Sequence, residues 1–223
     1  MSEFTGKTFV VRVDDATAAA QESTFIADLS FLALQDVHPI VIAPSASAAR
    51  TLVRTINRSG NHAVGLSGAD AAMLPGSGQG LGKVQTGILQ TLMQNGYIPV
   101  VEPTAFGVFG DDIELGADDV AQAIAAATEA IRAIFFHALG GVTDRNTAAL
   151  IAELTAAEAL DIAQDDDVPL DLRAAIRAAA LGVRAGVGAA QIVDGRLAHA
   201  SIVEVLTARH LGTQVTGGVF TGG

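Results

Sequence analysis

Two short, almost wholly apolar runs, residues 97–101 and 134–136, flank an alanine-rich stretch, residues 117–133. No other feature constrains the fold as much. Apolar runs without polar alternation suit strands covered on both faces, as in parallel sheets. Asp118 and Asp119 open the alanine-rich stretch, where negative charge suits the positive end of a helix dipole. The spacing predicts a right-handed strand–helix–strand unit. Just before it, residues 84–95 carry Ile88, Leu89, Leu92 and Met93 at helical spacing, with Asn95-Gly96 as a stop. Ligands of such sheets sit at the carboxyl ends of strands. That points to the loops 102–116 and 137–141.

The alternation extends in both directions. Strands are expected at 8–13, 39–43, 63–66, 191–193 and 212–215. Helices are expected at 16–35, 48–57, 155–164, 172–183 and 199–209. Thr155 and Glu158 form a capping-box pattern, and His199 is expected to cap or pack at a helix start. The pattern predicts an α/β fold of three layers, αβα, around a mainly parallel central sheet. With 223 residues, half of them hydrophobic, one domain can bury a full core. A single domain is expected, with one lobe over 1–115 and another over 116–223.

No apolar run reaches the ~18 residues of a membrane helix, so no membrane partner is expected. A net charge of −11 without a basic stripe argues against nucleic acid. The absence of cysteine removes disulfides and thiolate metal sites. The start, MSEFTGKTFVV, has no secretory pattern, so a cytoplasmic location is expected. The five histidines lack metal-ligand spacing, and no metal site is expected. The glycines at 76, 78, 80 and 82 fit neither the dinucleotide fingerprint nor a P-loop, and read as a flexible surface loop. Asp165, Asp166 and Asp167 read as a solvated loop. Arg50, Arg54 and Arg58, spaced by four, read as a solvated helix face in preference to a substrate clamp.

The segments HAVGLSGAD at 62–70, GYIPVVEP at 96–103, GADDVAQAIAAA at 116–127 and IFFHALGGV at 134–142 resemble the amino-acid kinase family, and within it the acetylglutamate kinases. LIAELTAAEA at 150–159, QIVDGRLAHASIVEVLT at 191–207 and LGT at 211–213 extend the resemblance over most of the chain after Ser59. It implies transfer of the γ-phosphate of Mg-ATP to the carboxylate of N-acetylglutamate, in arginine biosynthesis. It implies a homodimer and a small-molecule ligand, an N-acetylated amino acid or arginine. It places Asp118 and Arg12 at the catalytic position. His137, Gly140 and Arg173 fall on the nucleotide side. Ser45, Gly65, Ser67 and Glu114 fall on the substrate side, and Glu204 and Gly212 at the arginine-effector position.

The chain departs from the family pattern at its chemical centre. Arg12 replaces the first catalytic lysine, and Asp14 and Asp15 replace the two glycines beyond it. Pro44-Ser45-Ala46-Ser47 replaces a histidine and a glycine run, and residues 47–61 are too few for the family's substrate lid. The N-terminal lobe is therefore expected to be truncated. Ala69 replaces a lysine, His137-Ala138 a Thr-Asp pair and His210 the first glycine of the effector turn, and the second catalytic lysine has no equivalent nearer than Arg173. Seven residues precede the first strand, so the family's ring-forming helix is not expected. Two readings follow. One is a catalytically impaired relative acting as a binding, regulatory or assembly subunit. The other is an active kinase using arginines and Mg²⁺ in place of lysines.

Overall fold

A computed structural model describes residues 4–19, 24–78, 80–200, 202 and 211–218. The first half runs β1 (Thr8–Arg12), α1 (Asp15–Ala19), α2 (Thr24–Leu34), β2 (His38–Ile42), α3 (Ala46–Arg58), β3 (Ala63–Leu66), β4 (Pro75–Ser77), β5 (Gly80–Leu81), α4 (Gly87–Gln94), β6 (Ile98–Val101), β7 (Thr104–Gly107) and β8 (Asp112–Glu114). The second half runs α5 (Ala117–Ala127), β9 (Arg132–Phe136), β10 (Glu153–Thr155), α6 (Ala156–Ile162), α7 (Leu170–Arg184), β11 (Ala189–Val193) and β12 (Thr213–Thr216).

Eight strands form the central sheet in the order β10-β12-β11-β9-β1-β2-β6-β3. From β11 to β3 every neighbouring pair is parallel, as unbroken apolar runs require. Successive side chains of these strands face opposite layers. Val10, Ile40, Phe135 and Ile192 enter one core with Leu89 of α4, Ile124 of α5 and Ile176 of α7. Val11, Val41, Phe136 and Val193 enter the other with Phe25 and Leu29 of α2 and Leu52 of α3. Phe25 meets Phe136 edge-on at 5.4 Å between ring centres, a favoured aromatic arrangement. The molecule is thus the expected α/β fold with three layers. No helix among the described residues is long and apolar enough to cross a membrane.

Several expectations are corrected. The strand–helix–strand unit does not join neighbours, because β1 and β2 lie between β6 and β9 and α5 packs across β1 on the way. The helix expected over 117–133 ends at Ala127, where Glu129 takes a positive φ of 51° and turns the chain into β9. The helix expected over 16–35 is two helices, α1 and α2. The glycine stretch is not a loose loop. It forms β4 and β5, which join β7 and β8 in a second sheet of order β5-β4-β7-β8. Gly76 is there for close packing, since a Cβ on it would lie 2.7 Å from that of Ala105, whereas Gly80 serves a backbone turn at φ 107°. The loop 102–116 holds the β7–β8 hairpin, whose tip exposes Val108 and Phe109. Helix α4 is shorter than expected. Leu89 and Met93 are buried in the chain's own core, and Ile88 and Leu92 pack against it, so this helix offers little surplus apolar surface for self-association.

The two sheets meet at Gly68. Its N–H donates to the Thr104 carbonyl at 2.9 Å, and a Cβ there would lie 2.2 Å from that oxygen and 2.8 Å from Ala105 Cα. Backbone cannot yield as a side chain does, so Gly68→Ala is expected to cost about 1–3 kcal/mol. Urea denaturation would read this as a lowered midpoint; an unchanged midpoint would contradict the packing described.

Candidate functional site

The carboxyl ends of β1, β2, β6, β3 and β9 share one edge of the central sheet. Arg12, the last residue of β1, stands at its middle. Its Nη1 donates to the Phe136 carbonyl at 3.0 Å, and Nη2 donates to Asp118 Oδ2 at 3.3 Å. Nε lies 2.9 Å from Asp118 Oδ1, an ion-pair contact outside hydrogen-bond geometry. The side chains are only 17% and 11% exposed. Asp118 is brought there by the start of α5 and Arg12 by the end of β1, so the two residues expected at the catalytic position do meet. Burial pushes the Asp118 carboxyl above its ordinary 3.8, outweighing the pull of Arg12.

The turn after β1 is closed by the chain itself. Asp14 Oδ1 accepts the Thr17 N–H at 2.8 Å, and the Asp14 carbonyl accepts the Ala18 N–H. The carboxylate thus caps α1. Ser45, expected to touch substrate, is the N-cap of α3, with its Oγ accepting the Ala48 N–H at 3.2 Å.

His137, immediately after β9, is buried. Its Nδ1 accepts the Leu139 N–H at 3.2 Å, and Nε2 lies 3.2 Å from Asp171 Oδ2. This network puts the ring proton on Nε2, facing the carboxylate. Gly140 turns the chain with φ 70° and donates its N–H to the His137 carbonyl. Gly212 packs so tightly that a Cβ would lie 2.0 Å from the Ile192 carbonyl. Glu204 lies outside the described residues. Arg173 is not free beside His137: its Nη1 donates to Asp166 at 2.6 Å. Arg145, which the sequence reading missed, pairs with Asp165 and with Asp167, the latter at 3.0 Å. The aspartate loop 165–167 is therefore an ion-paired loop.

Two clefts flank the Arg12–Asp118 centre. One, of about 500 Å³, lies among Leu139, Gly141, Asp144, Arg145, Val168 and Leu172. Hydrogen bonds from Thr147 and Asn146 hold the Asp144 carboxyl below its ordinary range. The other, of about 390 Å³, brings Gly65 and Ser67 together with Arg50, Arg54, Asp70 and Glu102. Glu114 is exposed on β8 and lines neither cleft. Arg50 and Arg54 do lie on an exposed helix face, as expected, but that face borders a cleft. The signal was their spacing of four; what they would face depended on α3 packing beside β3.

Removing one partner of a desolvated pair leaves a stranded charge. Asp118→Ala is therefore expected to cost about 2–4 kcal/mol, below the fully buried case because both side chains keep some solvent contact. Arg12→Met with Asp118→Leu should recover most of this loss in chemical denaturation. Equal losses in the single and double variants would contradict the pairing. The pH dependence follows from the raised carboxyl value. A carboxyl that holds its proton more tightly in the folded chain costs stability above its folded value, and the cost fades as pH falls toward the unfolded value. Wild type should therefore lose ground against Asp118→Asn as pH rises above the ordinary carboxyl value of 3.8. A constant difference over that range would rule this titration out.

Comparison with known proteins places this geometry. The profile of the amino acid kinase family matches residues 10–194. The acetylglutamate kinase of Syntrophobacter fumaroxidans is 31% identical over 216 residues, which cover 87% of this chain and 72% of that protein. The acetylglutamate kinase of Trichodesmium erythraeum is 34% identical over 177 residues, covering 74% and 61% respectively. In fold, the chain matches the N-acetylglutamate synthase of Neisseria gonorrhoeae, solved with coenzyme A and N-acetyl-glutamate. There the TM-score is 0.84 at 16% identity, over 98% of this chain and 61% of that one. The chain belongs to the amino acid kinase family.

Proposed function

We propose that this chain is an acetylglutamate kinase-like protein that binds small molecules at its clefts but is impaired in phosphoryl transfer, and that it serves as a binding or regulatory subunit. The observation that carries the reading is the closed turn after β1. In the family pattern, glycines there leave backbone N–H groups to meet the phosphates of ATP. Here the Asp14 carboxylate takes the Thr17 N–H at 2.8 Å. A triphosphate would have to displace that carboxylate and approach it against like charge. The residues at this turn do not fit Mg-ATP. Two other features agree. Arg12 is engaged by Asp118 and the Phe136 carbonyl, and Arg173 by Asp166. Neither guanidinium is poised to neutralise a moving phosphoryl group, a task on which such catalysis depends.

One observation favours the second reading, an active kinase. The Arg12–Asp118 contact keeps a cation held by an aspartate at the family's catalytic position. Arginine is a rigid fork where lysine is a mobile point charge, so the positions agree more closely than the chemistry.

The two readings separate in one experiment. Titrating the full chain with Mg-ATP should give a dissociation constant no tighter than about 1 mM. Asp14→Gly with Asp15→Gly removes two carboxylates and returns the Thr17 N–H, so it is expected to gain measurable nucleotide affinity. Hydroxamate trapping should still detect no acyl phosphate from N-acetylglutamate, because positioning supplies much of the rate in phosphoryl transfer. Acyl phosphate above the enzyme-free control from the unaltered chain would establish the active kinase instead.

A further inference from the structure

The chain after β9 and the start of α7 enclose the cleft of about 500 Å³, a volume within the range of ligand pockets. Its floor is apolar. Val142 and Leu172 are buried in the main core, and Ile151, Ile162 and Val168 pack against it. The apolar surface does not stop at the floor. Leu139, in the wall, is 56% exposed. Leu150 is 41% exposed; it bridges to Thr143 and lies beside Gly141, both in the wall. Leu170, 75% exposed, follows Pro169 where α7 begins. Exposed leucines gathered around a cleft mark an interaction surface.

The rim is acidic. Asp144, Asp165 and Asp167 line it against the guanidinium of Arg145, so negative charge is in excess. Asp144 Oδ1 takes the Asn146 N–H at 3.0 Å, the Thr147 N–H at 2.8 Å and the Thr147 hydroxyl at 2.9 Å. Its Oδ2 accepts no bond among the described residues. Arg145 joins Asp165 and Asp167, which ties the loop after β9 to the loop before α7. The walls are therefore held in place before any ligand arrives. Asp171, exposed in the first turn of α7, extends the negative surface.

We propose that this cleft docks a basic amphipathic segment of a partner protein, with leucine-like side chains on its floor and lysine or arginine side chains against the rim. Charge complementarity selects the occupant. The chain carries a net charge of −11, so a second copy meets the rim against like charge, and so does a phosphate-bearing ligand. The leucines outside the floor give an extended segment more apolar contact than a ligand confined to the floor could make. This rests on the reading of the chain as a binding subunit and supplies the chemistry of its partner.

Fluorescence anisotropy of the full chain without nucleotide tests this. The probe is a labelled peptide of about 14 residues, leucine and lysine only, with leucines at helical spacing. Saturable binding at about 10 µM or tighter is expected, with none for the peptide in which glutamate replaces lysine. Leu139→Ser with Leu150→Ser should weaken binding about tenfold or more. Asp165→Asn with Asp167→Asn should do the same. Asp111→Asn with Asp112→Asn removes equal charge from the β7–β8 hairpin, which lines no part of this cleft, and should leave binding unchanged. Circular dichroism checks the fold of each variant, and the two aspartate pairs decide the matter if the leucine variant melts early. Binding weaker than about 1 mM, equal binding of the glutamate peptide, or equal effects of the two aspartate pairs would overturn the proposal. So would self-association of the unaltered chain that the leucine changes abolish, since a second copy would then occupy the cleft. Failure of the peptide with no acyl phosphate formed overturns this proposal alone and leaves the impaired-kinase reading standing.

Discussion

The contact between Arg12 and Asp118 ties together the elements that make the site. It joins the end of β1 to the start of α5, and through the Phe136 carbonyl to the end of β9. These three elements sit at the middle of the central sheet. A charge pair this little exposed stabilises only while both members are present, so the carboxyl edge of the sheet is held in one arrangement.

The same economy runs through the rest of the edge. Asp14 caps α1, Ser45 caps α3, and Thr155 with Glu158 caps α6. At Asp14 and Ser45, where the family pattern has glycines, this chain satisfies the Thr17 and Ala48 N–H groups with its own side chains. Buried or half-buried amides need a partner in any case, so each cap stabilises the helix behind it. What stays open lies to either side. One cleft is bounded by the 139–146 loop and α7, and the other by α3 and the ends of β3 and β6.

Much of this was legible in the residues. Unbroken apolar runs gave the parallel strands, with β3 placed at its observed bounds, and Thr155-Ala-Ala-Glu158 gave the start of α6 through a local hydrogen-bond pattern. Arg12 and Asp118 met because the family pattern sets them at the ends of a strand and a helix that share one sheet edge. The second sheet was hidden. β4 and β5 are short and glycine-rich, and what holds them is the pairing of β5 with β4 and the close contact of β4 with β7, which has no periodicity along the chain. The insertion of β1 and β2 between β6 and β9 was hidden too, because strand order is a long-range property. The pairing of Arg173 with Asp166 and the opening of the Arg50–Arg54 face onto a cleft depend on neighbours that spacing does not name.

The central claim is that the chain's own carboxylates occupy the groups that would receive a nucleotide's phosphates. Nitrogen-15 NMR of the Thr17 amide and the Arg12 guanidinium during titration with Mg-ATP tests it most directly. Both resonances should stay in place, because Asp14 and Asp118 already hold those protons. A saturable shift of both would show the carboxylates displaced by phosphate and would contradict the account.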